Sequence, residues 1–377
     1  GGMRQRLGIA LAIALDPPFV IADEPTTSLD VVIANQIMSE LSRLCEDLEK
    51  SLLLISHDLA LAAKWCNKIA ILDKGKIVEE ATSSDILTNP QSLIGKKLVG
   101  AFKYRERNEQ ESISSSEIIL DVENLRCWHS LPAWPWKLNW LKAVDQISFK
   151  LSTGETLGIV GSSGCGKSTL CRSLMGLLPI KGGRVTLDGQ DLGKLKGTCL
   201  RKQRQVVQMV FQDPLASLNP TMSVGDAIAD PLLLHNICTK CQAKERTREL
   251  LAQVGLNPVA SFQYRYPQAL SGGQQQRVAI ARALAMRPKI LICDESLSML
   301  DAEIQVDILK LLRDLQKNLG LAILFVTHDL LVANGFCDRL IVMNEGKIIE
   351  EGSSNQIFHF PENSITQRLV SACPRLF

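Results

Sequence analysis

The chain has 377 residues, room for two domains that each bury a core. A hydrophobic share of 46% and a charged share of 22% are those of an ordinary globular protein, and a net charge of +2 argues neither for nor against nucleic acid. No apolar run reaches the roughly 18 to 20 residues of a membrane helix, so work at a membrane would fall to partner subunits. The eleven cysteines are an odd number and Cys165 sits inside a glycine loop, which argues against a disulfide framework and for a reducing compartment.

In chain order, the first feature is "GGMRQR", which returns as "GGQQQR" at Gly272 to Arg277. The pair belongs to a long repeat. Residues 1–87 overlay residues 272–358 at a constant offset of 271 without a gap, setting Asp23 on Asp294, Glu24 on Glu295, Asp30 on Asp301 and His57 on His328. The first copy corresponds to the last third of the second, and its own glycine loop would fall upstream of Gly1, so the chain reads as an N-terminally truncated tandem. The expected division is a partial copy over 1–100, a linker over 101–117 and a complete copy over 118–377. The linker rests on the charged, serine-rich "FKYRERNEQESISSSE", which has little to bury.

In the second copy, "IILDVENLRCW" and "AVDQISFKL" alternate apolar and polar residues as half-buried strands do, and "TLGIV" is a short apolar run of buried-strand type. Between the first two lies "SLPAWPWKLNW", with Trp134, Trp136 and Trp140, read as a hairpin insertion packing on its own strands in preference to a membrane-facing wedge. Further strands are expected at "GRVTLDG", "QVVQMVFQ", "KILICDE", "LAILFVTHD" and "DRLIVMNEGKIIEEG". Helices are expected over 168–178, 272–285 and 302–317. Such alternation implies an α/β fold with mainly parallel core strands. "CTKC" at Cys238 to Cys241 has metal-ligand spacing but no second pair to complete a site, and reads as plain thiols.

"GSSGCGKST", from Gly161 through Ser162, Ser163, Gly164, Cys165, Gly166, Lys167 and Ser168 to Thr169, follows a strand and opens a helix. It matches the phosphate-binding pattern GxxxxGK[ST]: backbone N–H groups and the positive helix end face phosphate, Lys167 reaches the β- and γ-phosphates, and the Ser168 hydroxyl ligates Mg²⁺. The acidic partner is "ILICDE", whose apolar residues carry Asp294 and Glu295 to the C-terminal end of a strand, where α/β sheets place ligands. Asp294 suits the Mg²⁺ shell, and Glu295 the general base that activates a water.

With "LSGGQQQR", "VFQDP", "SMLD" and "VTHDL" in this order, residues 118–377 resemble the ABC-type ATPases, and three of the motifs recur in residues 1–63. The resemblance implies a P-loop NTPase domain with a RecA-like core, an antiparallel β subdomain and a helical subdomain, preceded here by a partial second copy. It implies ATP and Mg²⁺ as cofactors, Gln212 on Mg²⁺ and the attacking water, and His328 as the γ-phosphate switch. Sites would form head to tail by pairing of the two copies: Ser271, Gly272, Gly273 and Gln274 of one signature, or Gly1 and Gly2 of the other, would face a P-loop across the interface. Asp23, Glu24 and His57 are the equivalents in the partial copy. An aromatic upstream of the P-loop stacks on adenine in this family, and Trp128 is the candidate, followed by His129. By this reading the chain could assemble at best one impaired site, and hydrolysis is assigned to the full-length tandem.

Within the family, the tail "PENSITQRLVSACPRLF" and the two signature segments resemble the paired ATPases of oligopeptide, dipeptide, nickel and glutathione importers, here fused. That implies two transmembrane permease subunits, docked through about residues 213–269, an extracytoplasmic solute-binding protein, no nucleic acid, and a peripheral place on the cytoplasmic face of the inner membrane. The alternative is a non-transport tandem ATPase such as a translation factor, against which the short mixed-charge linker speaks. One departure is Ser296, where the first copy has Pro25.

Overall fold

The computed structural model describes residues 2–26, 29–106, 117–133 and 137–373. The first copy runs α1 (Gly2–Ile13), β1 (Phe19–Asp23), α2 (Val31–Asp47), β2 (Ser51–Ile55), α3 (Leu59–Trp65), β3 (Lys68–Asp73), β4 (Lys76–Thr82), α4 (Ser83–Thr88) and α5 (Leu93–Glu106). Asp30 starts α2 by accepting from the Ile33 amide at 3.0 Å, which satisfies one of the helix's open donors. α5 runs past residue 101, the expected start of the linker. Ala101 and Phe102 are buried, so an apolar face keeps the helix going until the charges at its end.

The second copy begins with a long hairpin, β5 (Ile118–Ala133) and β6 (Lys137–Ser152), followed by β7 (Thr156–Val160), the P-loop helix α6 (Lys167–Leu174), β8 (Gly182–Leu187), β9 (Gln190–Asp191), β10 (Val207–Val210), β11 (Ile290–Asp294), β12 (Ala322–Thr327), β13 (Arg339–Asn344) and β14 (Lys347–Ser353). The tryptophan-rich insertion belongs to this hairpin, with Ala133 paired to Lys137; Trp134 and Trp136 lie outside the described residues. α6 stops at Leu174, short of the expected 178, because Gly176 takes a left-handed turn (φ 63°) ahead of Pro179. The other two expected helices stand at Gly272–Ala285 and Ala302–Leu319.

β6, β5, β8 and β9 form an antiparallel sheet, and β10-β11-β12-β7-β13-β14 a six-stranded sheet that is parallel except for β14. β7, β11 and β12 are buried at every position, which explains their unbroken apolar runs. One apolar layer joins Leu120, Val122 and Phe149 of the antiparallel sheet to Ile159, Ile292 and Leu324 of the parallel one, with Leu170 and Leu174 of α6 between them. On the other side, the helices Val224–Leu234, Lys240–Gln253 and Gly272–Ala285 pack on one another as a helical subdomain. The cysteine pair Cys238 and Cys241 flanks the start of its second helix, where Thr239 and Gln242 form a capping box.

The repeat folds alike in both copies as far as it extends. β1 and β2 pair as β11 and β12 do, and β3 and β4 as β13 and β14. In the second copy β7 separates those pairs, whereas in the first they form two separate sheets among the described residues. The consequence for burial is large. Phe19, Ile21, Leu53 and Ile55 are 45–60% exposed, while their counterparts Ile290, Ile292, Leu324 and Val326 are at most 1% exposed beneath α6 and the antiparallel sheet.

Candidate active site

Four chain segments converge at the C-terminal end of the parallel sheet. β7 delivers the P-loop, and Gly166 caps α6 with φ 109°, where a Cβ would run into the Ala143 carbonyl; only glycine fits that corner. Lys167 is 4% exposed. Its Nζ donates to the Gly161 and Ser162 carbonyls at 2.8 and 3.0 Å and lies 3.5 Å from Glu295 Oε1, so the cation is held over the loop by the loop's own backbone.

β11 brings the acidic pair. The Ser168 hydroxyl donates to Asp294 Oδ1 at 3.3 Å, placing two oxygen ligands of the kind Mg²⁺ takes side by side. Burial raises the pKa of Asp294, and the Ser168 hydrogen bond pulls against that rise. Glu295 turns away from the strand at φ 46°, the same left-handed conformation as Glu24 at φ 45° in the first copy. Its pKa is lowered, first by the hydrogen bond with His328 and then, against the cost of burial, by the charges of His328 and Lys167. His328 Nδ1 lies 3.8 Å from Glu295 Oε2. Burial presses the His328 pKa down, but the Glu295 carboxylate outweighs it and the net shift is upward. In the first copy the same pair is tighter, with His57 Nδ1 at 2.7 Å and the His57 amide donating to Glu24 at 3.0 Å.

Gln212 is exposed two residues beyond β10, whose Val210 pairs with Cys293, so it stands at the same sheet edge as Asp294. Trp128 and His129 form a second arm. His129 Nε2 is 3.5 Å from Thr169 Oγ1, next to the P-loop, and a cavity of about 240 Å³ is lined by Trp128, His129, Trp140, Pro179 and Lys181. The indole Nε1 of Trp128 is buried without a partner, and Lys142 lies 5.4 Å above its ring.

The signature segment divides in two. Ser271 caps the Gly272–Ala285 helix in a capping box with Gln274, and Ser271 and Gly272 are exposed. Gly273 is buried: a Cβ there would sit 2.6 Å from Ile304 Cγ2. Gly2 repeats this, with its Cβ position 2.8 Å from Ile33 Cγ2. Sequence reasoning assigned both glycines to phosphate, and the packing of two helices gives them a second reason to be glycine. Gly1 lies outside the described residues.

The sequence leads one to expect pairing of P-loop with signature; the loops after β1, β2 and β12 border a further shared space. A cavity of about 180 Å³ lies between the copies, lined by Glu24, His57 and Phe102 of the first and Ser298, Gln305 and His328 of the second. The constant offset could have revealed it, since it places the same loops on both sides.

The chain is similar to several known proteins. The ABC transporter family model matches residues 144–298. The glutathione import ATP-binding protein GsiA of Pectobacterium atrosepticum is 39% identical over 402 residues, covering 99% of this chain and 64% of that protein. The peptidoglycan transport ATP-binding protein YejF of Agrobacterium fabrum is 39% identical over 375 residues, covering 99% of this chain and 68% of its own length. The chain thus spans about two thirds of these relatives. Among solved structures, cbiO1 from Clostridium perfringens, part of the ABC transporter complex cbiONQ, superposes with a TM-score of 0.56 at 31% identity, over 66% of this chain and 93% of that one. The sequence motifs, the strand order and these likenesses lead to one conclusion: the chain belongs to the ABC transporter family, among its ATP-binding proteins.

Proposed function

We propose that the second copy binds ATP with Mg²⁺ and hydrolyses it to power an importer for peptides or a related small solute such as glutathione or nickel. The observation that carries this is the convergence of Lys167, Ser168, Asp294, Glu295 and His328 on one end of the parallel sheet. The P-loop amides and Lys167 would take the β- and γ-phosphates. Ser168, Asp294 and Gln212 would hold Mg²⁺, which supplies charge neutralisation on the phosphate oxygens when bound. Glu295, kept ionised by His328 and Lys167, would accept the proton of the attacking water, and His328 would then face the γ-phosphate. Trp128 would stack on adenine across the cavity beside Thr169.

The domain division follows the repeat: a partial copy through Glu106, a linking segment, and a complete copy from Ile118. In the full-length tandem, pairing of the two copies would bring a signature to each P-loop, and Ser271, Gly272, Gln274 and Gly2 are the residues we assign to that contact, with Gly273 serving it through packing. Exposed Leu215, Leu234, Ile237, Tyr264 and Tyr266 around the helical subdomain fit the docking of two permease subunits, with a solute-binding protein beyond them. Among the described residues no helix is long and apolar enough to cross a membrane; the peripheral place on the cytoplasmic face is proposed from the likeness to importer ATP-binding proteins alone.

The test is binding and turnover together. In the full-length tandem, Lys167→Ala should abolish binding of a fluorescent ATP analogue at this site, whereas Glu295→Gln should keep binding and lower turnover by about 10²- to 10⁴-fold. Unchanged turnover in Glu295→Gln would remove Glu295 from the mechanism.

A further inference from the structure

α5 closes the first copy, and the helix Ser364–Ala372 occupies the equivalent place in the second: Leu98 falls on Leu369, Val99 on Val370 and Phe102 on Cys373. Each of these helices packs on the other copy. α5 lies against the second copy's Ala302–Leu319 and Leu330–Phe336 helices, and Ser364–Ala372 lies against α2, which is the first copy's equivalent of Ala302–Leu319. The exchange is therefore reciprocal about a pseudo-two-fold axis.

The apolar content of the exchange is continuous. Val99 and Phe102, at 3% and 4% exposure, and Leu369 and Val370, at 6% and 5%, belong to a single buried cluster that also holds Ile69 and Ile71 of the first copy and Leu312, Leu331 and Phe336 of the second. Two polar contacts add to the α5 side: Lys97 Nζ is 2.8 Å from Glu303 Oε1, and Lys310 Nζ lies 5.1 Å over the Tyr104 ring. None of these contacts includes a residue of the phosphate site, and Phe102 and Ala372, one from each exchanged helix, both line the cavity between the copies.

We propose that the exchanged terminal helices are a standing clasp that keeps the two copies paired whether or not nucleotide is bound. In this arrangement nucleotide changes the spacing of the P-loop and signature but does not create the pairing. The helices gripped by α5 and by Ser364–Ala372 begin at Val31, Ala302 and Leu330, directly after Asp30, Asp301 and Asp329, so the clasp holds the helix that follows the His328 loop and the helices that follow the equivalent Asp30 and Asp301. The clasp needs only the packing of the repeat, and stands apart from hydrolysis.

The test places a site-specific protease sequence within residues 107–116, cleaves the purified protein, and follows the two pieces by size-exclusion chromatography in EDTA without nucleotide. The pieces should co-elute at the size of the uncut protein. Val99→Asp with Val370→Asp should separate them, while the larger piece still binds a fluorescent ATP analogue as the sign that it remains folded. Lys97→Glu, a surface change, should weaken association of the cut pieces by roughly 2- to 5-fold, and Glu303→Lys in the same chain should restore it. Separation of the unsubstituted pieces until ATP is added would overturn the proposal. So would continued co-elution of the doubly substituted pieces, or a Lys97→Glu defect that Glu303→Lys leaves unrepaired.

Discussion

Gly273→Ala tests the packing of the signature helix separately from nucleotide chemistry. The new Cβ would lie 2.6 Å from Ile304 Cγ2, closer than any carbon pair tolerates, so the Gly272–Ala285 helix or Ile304 must move. Overpacking of this kind costs about 1–3 kcal/mol, and replacing a helical glycine returns about 0.5–1 kcal/mol. The net loss should be roughly 0.5–2 kcal/mol, a fall in Tm of about 1–5 °C for a domain of this size. The measurement is thermal unfolding in EDTA without nucleotide, where phosphate contacts contribute nothing. Ile304→Ala should remove the clash, so the double substitution should be more stable than the sum of the single losses by about 0.5–1 kcal/mol or more. An unchanged Tm for Gly273→Ala, or strict additivity in the cycle, would refute the packing argument and leave only the approach of a ligand to explain the glycine. Gly2 against Ile33 provides a second instance in the same chain.

Three further outcomes are expected. Trp128→Ala should weaken ADP binding by roughly 5- to 100-fold in a fluorescence titration, the range of one aromatic stack on a base, and unchanged affinity would move the platform away from Trp128. Gly166→Val should abolish nucleotide binding, since its φ of 109° and the nearby Ala143 carbonyl leave no room for a side chain; calorimetry with ADP checks this, and retained affinity would contradict the loop geometry. Glu79 has its pKa lowered from 4.5, chiefly by the Ser92 hydroxyl and then the Gln91 amide. Its folded pKa lies below the unfolded one, so its contribution is present above about pH 4.5. Protection of the Gln91 and Ser92 amides from hydrogen exchange should hold down to that pH and fall below it; protection unchanged at pH 3 would count against the linkage.

The phosphate loop, the Asp294–Glu295 pair and the histidine loop were legible because each is a short pattern fixed to a strand end. The chemistry requires that position, and an apolar run followed by the reactive residues announces it. The relations between them were not legible. That Lys167 lies 3.5 Å from Glu295, or that Glu295 and His328 shift each other's protonation, depends on distances between separate chain segments that have no local signal. The end of the first copy differs for the opposite reason: the charges of its last residues speak for a linker, while buried Phe102 joins an apolar cluster with Leu312, Leu331 and Phe336, more than two hundred residues away.

The repeat separates what a segment's pattern determines from what its surroundings determine. Phe19, Ile21, Leu53 and Ile55 form strands paired in the same register as Ile290, Ile292, Leu324 and Val326, so pairing follows from the segment itself. Their exposure differs almost completely, because the second copy lays α6 and an antiparallel sheet over that face and the described first copy does not. The opposite face of the first copy is closed by its own helices, where Met38, Leu41 and Cys45 pack with Val20 and Ala22. Its far end, from β3 to α5, joins the core of the second copy. Order in the first copy therefore has two supports, one within it and one borrowed across the interface, and the borrowed one is the apolar cluster that the exchanged helices complete.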